Sequence, residues 1–236
     1  MRVLAEITDE GFPNHAVDTI KLLFCNDELG TRKIKYVSAE DFAGSIKAGI
    51  YSKGCCTIGK IPTGYYNASI GIEKKGFDCA AILILPKRMQ RITYMQTMYE
   101  MELPALVFAF KVEESKVKET HVFCVKENEP SAKSVLYRFP LGNVSSGNGS
   151  VCWGGNQLPQ VTCLKDLDVI MTHFLSCPFN SDHYRPNENC KMKNWNLRDL
   201  CEYVQKVGNF EDDKLLVQVT VNGYRTLEEL EKTIHL

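Results

Sequence analysis

An α+β fold is predicted by three features of this 236-residue sequence. Apolar runs separated by short breaks fill residues 79 to 139, and apolar residues recur at helical spacing after residue 162. A loop of Gly, Asn and Ser divides the two. Strands first and helices after is the α+β order.

The N-terminal third reads as a mixed unit. Residues 2 to 8, 17 to 25 and 33 to 37 have strand composition, separated by Gly11-Phe12-Pro13-Asn14 and by Asn26-Asp27. Ser38, with Asp41 three residues on, predicts a helix start that buries Phe42, Ala43, Ile46 and Ile50 and stops at Ser52-Lys53-Gly54. Between 55 and 78, Gly59, Pro62, Gly64, Gly71 and Gly76 leave room only for a loop, a short strand at Ala68 to Ile72 and a turn. We therefore expect residues 1–78 to form an extension packed on a core of residues 79–236.

From Cys79 the predicted strands are Cys79 to Leu85, Arg91 to Met98, Ala105 to Val112, Thr120 to Val125 and Ser134 to Phe139. Their breaks are short enough for hairpins, so an antiparallel meander is expected. It runs into Pro140-Leu141-Gly142-Asn143-Val144-Ser145-Ser146-Gly147-Asn148-Gly149-Ser150-Val151-Cys152-Trp153-Gly154, a flexible loop closing on one cysteine backed by tryptophan. Such a loop presents a thiol. Thr162 is then expected to cap a helix burying Leu164, Leu167, Ile170, Met171 and Phe174. A second helix spans Asn196 to Val207 and ends at Gly208, Lys214 to Val221 reads as a last strand, and Thr226-Leu227-Glu228-Glu229 opens a terminal helix.

Composition narrows the function classes. Lys and Arg total 28 against 29 Asp and Glu, a net charge of -1 with the signs interspersed, which disfavours a nucleic-acid partner. An acidic residue at Glu6 comes too early for a signal-peptide core, and the longest apolar run, Cys79 to Pro86, is far short of a membrane span. The expectation is a cytoplasmic protein with no membrane partner, whose ten cysteines are mostly reduced core thiols, Cys25, Cys79, Cys124 and Cys201 standing in for aliphatic residues. No phosphate-binding glycine motif occurs, so no nucleotide cofactor is expected. A zinc site from Cys177, His183 and Cys190 is disfavoured, because zinc sites prefer CxxC-type pairs.

Asn148-Gly149-Ser150-Val151-Cys152 resembles the active-site stretch of ubiquitin-conjugating enzymes, where a meander runs into a loop that ends Asn-Gly-x-Ile/Val-Cys. The closer resemblance is to the prokaryotic family D of that superfamily, which includes PRTRC system protein B. It rests on Pro104-Ala105-Leu106-Val107-Phe108, on the loop Asn143 to Gly154 and on Phe174 to Phe179, and is firmest over residues 79 to 185. The His-Pro-Asn triplet of the eukaryotic enzymes is absent. Leu141-Gly142 stands between Pro140 and Asn143, and Asn143 precedes Cys152 by nine residues.

The resemblance implies a ubiquitin-conjugating-like α+β core in which Cys152 takes a ubiquitin-like modifier as a thioester from a ThiF/MoeB-type activating enzyme and yields it to an amine. A JAB-type metallopeptidase is a further implied partner, often encoded alongside on mobile elements. Cysteine suits both steps, being a strong nucleophile as thiolate and a good leaving group. The amine's attack builds an oxyanion that an amide N–H stabilises. Asn143 is the first candidate and Asn148 the second, although asparagines in such a loop also serve turn geometry. Asp182 and His183 are candidates to orient or deprotonate the amine. His121 and His173 read as strand and helix positions. The rivals are a non-catalytic scaffold of the same fold that holds a ubiquitin-like protein, and a cysteine hydrolase, which needs His183 or His121 beside Cys152.

Overall fold

The computed structural model describes residues 2–6, 19–26, 31–43, 62–73, 76–211 and 215–234, and the chain divides into two compact units, Met1–Cys55 and Cys56–Leu236. In the first unit β1 (Arg2–Glu6), β2 (Thr19–Asn26) and β3 (Thr31–Ser38) form an antiparallel sheet in that order. Glu6 lies opposite Lys21 and the pair closes at 2.8 Å across β1 and β2. The Asp41 N–H donates to Ser38 Oγ at 2.9 Å as helical backbone begins over 39–43. The continuation of that expected helix to Ile50, its stop at 52–54 and the loop as far as residue 61 lie outside the described residues.

The second unit is built on a five-stranded antiparallel sheet, in the order β10-β9-β8-β5-β4. Its strands are β4 (Tyr65–Glu73), β5 (Gly76–Leu85), β8 (Ala105–Glu113), β9 (Lys116–Val125) and β10 (Tyr137–Arg138). The central strands β5 and β8 are apolar on both faces because both faces are covered. On one face Leu83, Leu106, Phe108 and Phe110 pack in a cluster with Leu167, Ile170 and Phe174 of α1 (Leu167–Ser176) and Leu200, Cys201 and Val204 of α2 (Leu197–Val207). On the other, Ile82, Ala105, Val107 and Ala109 cluster with Val219 and with Leu227 and Leu230 of α3 (Leu227–Thr233). The α+β reading and the meander hold. No described helix is long and apolar enough to cross a membrane.

Four details differ from the sequence reading. The single strand expected at Arg91 to Met98 is a hairpin of β6 (Arg88–Tyr94) and β7 (Thr97–Leu103), which form their own two-stranded sheet. The chain reverses at Met95-Gln96 with φ of 44° and 68°, a turn with both central residues left-handed but no Gly or Asn to mark it. The short strand expected at Ala68 to Ile72 is the longer β4, paired along β5.

Ser134 to Phe139 and the last expected strand, whose first residue Lys214 lies outside the described residues, are shorter or irregular for a shared reason. Their backbones meet each other through loop-type bonds, Arg138 N–H to Val217 O at 2.8 Å and Val219 N–H to Leu136 O at 3.0 Å, and only Tyr137 and Arg138 join the β9 ladder. Thr162 does not cap by accepting. Its N–H and hydroxyl donate to Asp166 at 2.7 and 2.8 Å, and a 3-10 turn (Leu164–Asp166) precedes α1. The residues expected to be buried around α1 are buried, and α2 buries Leu197, Leu200, Cys201 and Val204. Asn196 caps α2 by accepting from the Asp199 N–H, and Gly208 closes it at φ 94°.

The Thr162 backbone N–H, first among several donors, holds the Asp166 carboxyl below its ordinary value of 3.8. A depressed carboxyl stabilises the fold at pH values above 3.8, and that stabilisation is lost as pH falls through the lower folded value. Asp166→Ala is therefore expected to cost about 1 kcal/mol at neutral pH. Urea denaturation should show the gap between variant and parent closing in acid.

Candidate active site

The cysteine loop is closed by its own backbone. Cys152 N–H donates to Asn143 O at 2.8 Å, Val144 pairs with Val151, and Ser145 N–H donates to Ser150 O at 2.9 Å, so Asn143 and Cys152 stand side by side at the loop's base. Asn143 has φ 64°, a left-handed conformation that asparagine tolerates better than most residues. The returning arm extends the sheet. Val122 N–H donates to Gly149 O and Val151 N–H to Thr120 O, both at 2.8 Å. Gly149, at φ 73°, lies so close over Phe123 that a Cβ would sit 2.5 Å from the ring. Asn148 Oδ1 accepts from Ser150 N–H at 3.2 Å, which assigns that side chain to turn geometry.

The segment after α1 braces the loop. Asn143 N–H donates to Asp182 O at 2.8 Å, Asn143 Nδ2 donates to Pro178 O at 3.2 Å, and Asn143 Oδ1 accepts from Asn180 N–H at 3.2 Å. The Asp182 carboxylate accepts from Asn180 Nδ2 at 3.0 Å. Residues 178–182 are carried in turn by β6, through Phe179 N–H to Thr93 O at 2.7 Å and Tyr94 Oη to Ser181 Oγ at 2.8 Å. A third segment closes over the tip of the loop. Ser146 Oγ donates to Glu188 Oε2 at 2.6 Å, and the fully buried Asn189 donates to Phe139 O at 3.1 Å while accepting from Arg185 N–H at 2.9 Å.

Burial sorts the thiols. Among the cysteines whose side chains are described, Cys79, Cys124, Cys190 and Cys201 are buried, Cys163 and Cys177 are partly covered, and Cys152 is exposed. Burial pushes Cys201 up to about 12 and Cys124 higher still. Cys177 is also raised by burial, and its sulfur lies 3.6 Å from His173 Nε2. Trp153 turns inward, stacking on His173 at 6.0 Å and meeting Phe174 edge-on. Beyond it, the exposed Gly154 and Gly155 face open space. The thiol of Cys152 is therefore presented outward from a braced loop with an open flank.

The structure brings Cys152, Asn143 and the backbone of Asp182 into one hydrogen-bonded cluster. His183 is exposed at φ 63° and, among the described residues, has no hydrogen bond to any of these three. His121 is 4% exposed, its Nδ1 on Asn148 O at 2.9 Å and its Nε2 facing Glu119 at 3.3 Å. No described histidine is hydrogen-bonded to Cys152, and no group of three or more metal-ligating side chains gathers among the described residues.

Sequence reasoning passed over Gly142, Glu188, Asn189 and the loop-facing role of His121. Only His121 left a trace, as a polar residue among apolar neighbours in the second half of β9. The contacts that tie the others to the cysteine loop join residues 38 or more positions apart, beyond any local pattern.

A family model described as prokaryotic E2 family D matches residues 80–217, more than half of the chain and the whole of the cysteine loop. No curated protein and no solved structure matches the chain.

Proposed function

Since the chain belongs to prokaryotic E2 family D and hence to a ubiquitin-conjugating-like family, we propose that Cys152 is the acceptor thiol for a ubiquitin-like modifier. The modifier arrives as a thioester on a ThiF/MoeB-type activating enzyme. The Cys152 thiolate attacks its carbonyl, a new C–S bond forms and the activating enzyme's thiolate departs. An amine then attacks the Cys152 thioester, the C–N bond forms, Cys152 leaves as thiolate and the amine's proton passes to solvent. A JAB-type metallopeptidase fits the same system as the enzyme that removes the modifier. One observation carries this reading: Cys152 is exposed at the base of a loop braced from two sides, and no described histidine is hydrogen-bonded to it. Acyl carriage benefits from a site without an adjacent base, since a base would activate water and hydrolyse the thioester.

Asn143 has two roles in this proposal. Its carboxamide holds the 178–180 backbone, and the second Nδ2 hydrogen is the donor for the oxyanion formed during amine attack. Asp182, one hydrogen bond from Asn143, and its neighbour His183 flank the approach of the amine.

The test is a charging assay with the cognate activating enzyme, ATP and modifier. Wild-type protein is expected to form an adduct that thiols reverse, and Cys152→Ala none. A wild-type chain that stays uncharged, or an adduct that persists in Cys152→Ala, overturns the reading in favour of a scaffold. Asn143→Ala is expected to charge normally and to discharge to amine about 10²-fold more slowly. Asn143→Asp keeps an acceptor for the Asn180 N–H but has no donor. Discharge from Asn143→Asp at the wild-type rate removes the oxyanion role.

A further inference from the structure

We infer that His121 is a positioning residue that latches the cysteine loop to β9. The kinetic consequence rests on the proposed role of Cys152, whereas the latch itself does not. His121 lies on β9 where the returning arm of the loop joins it, its backbone paired with Ser150. Nδ1 is 2.9 Å from the backbone oxygen of Asn148, which can only accept, so Nδ1 carries a proton. Nε2 is 3.3 Å from Glu119 Oε2, a second acceptor. The ring stacks on Tyr224 at 5.8 Å and 30°, which fixes its orientation.

The Asn148 carbonyl that His121 holds belongs to the turn whose side chain takes the Ser150 N–H, two residues before Cys152. Fixing that carbonyl fixes the arm that ends in the thiol. His121 thus sets the position of Cys152 without touching it.

Two variants of the full chain test the latch. His121→Phe keeps a ring over Tyr224 but loses the Nδ1 donor, and should discharge to amine about fivefold more slowly while exchanging its 149–152 amides faster. His121→Asn, whose Nδ2 stands where Nδ1 stood, should recover to within about twofold of wild type. Wild-type behaviour in His121→Phe, or equal loss in both variants, overturns the positioning role.

If His121→Phe does not fold, His121→Gln decides: its amide reaches the place of Nε2 rather than Nδ1, so slower discharge with faster 149–152 exchange supports the latch, and wild-type behaviour overturns it. If the wild-type chain does not charge at all, the conjugating role fails, while the amide exchange still judges the latch.

Discussion

Cys152→Ser is expected to accept the modifier at least about 10³-fold more slowly than wild type. Any adduct it forms should survive thiol treatment. An alcohol needs a neighbouring base to become a nucleophile far more than a thiol does, and no described histidine is hydrogen-bonded to Cys152 to act as one. An oxygen ester also surrenders its acyl group to amines more reluctantly, because alkoxide leaves less readily than thiolate. The substitution removes no core contact from an exposed position, so stability should stay within about 0.5 kcal/mol. The activity loss would then be chemical. Intact-mass analysis of charging reactions with and without reductant measures both effects. A serine variant that charges at the wild-type rate would point to a base at the site and revive the hydrolase reading. A reducible adduct that persists would point to another thiol. Cys177 is a poor substitute, being half-covered and held toward its protonated form by burial.

The elements that local chemistry specifies were legible. The second helix carried its cap, its apolar stripe and its terminal glycine within thirteen consecutive residues, Asn196 to Gly208, and formed as read. The meander was legible because β5, β8 and β9 are apolar runs, with only Glu114-Ser115 between β8 and β9 and the β6–β7 hairpin between β5 and β8. The hairpin at Met95-Gln96 was hidden because a left-handed turn without glycine leaves no composition signal, and the apolar pattern continues through Ile92, Tyr94 and Met98. The last extended segment was overread, since the apolar residues Leu215, Leu216 and Val219 report burial rather than strand pairing, and the segment is held by a few backbone bonds to residues 136–138.

At the site, the exposed cysteine was readable from the glycines and asparagines around it. Its bracing was not. Asn143 to Pro178, Ser146 to Glu188 and His121 to Asn148 join residues 35, 42 and 27 positions apart, and each depends on the fold already being in place.

Gly142→Ala is expected to destabilise the second unit by about 2–4 kcal/mol and to slow discharge from Cys152 along with it. A Cβ at residue 142 would lie 1.8 Å from the carbonyl oxygen of Asn180 and 3.0 Å from its carbon, so backbone must move. The loop cannot yield from its own side, because Leu141 and Val144 on either flank are buried to within 1%. The 178–182 segment must therefore retreat. That breaks the three bonds it makes with Asn143: the Asn143 N–H to Asp182, the Asn143 Nδ2 to Pro178 and the Asn180 N–H to Asn143 Oδ1. Each contributes roughly 0.5–1.5 kcal/mol, and the overlap adds to their loss. Gly155→Ala is the matched control. A Cβ there meets nothing within 4 Å, so its effect should stay within about 0.5 kcal/mol. Thermal melts of the two variants, together with amide exchange at residues 149–152, read the difference. If Gly142→Ala melts with wild type, the close approach of the two segments is not what holds the cysteine loop, and Asn143 loses its bracing role.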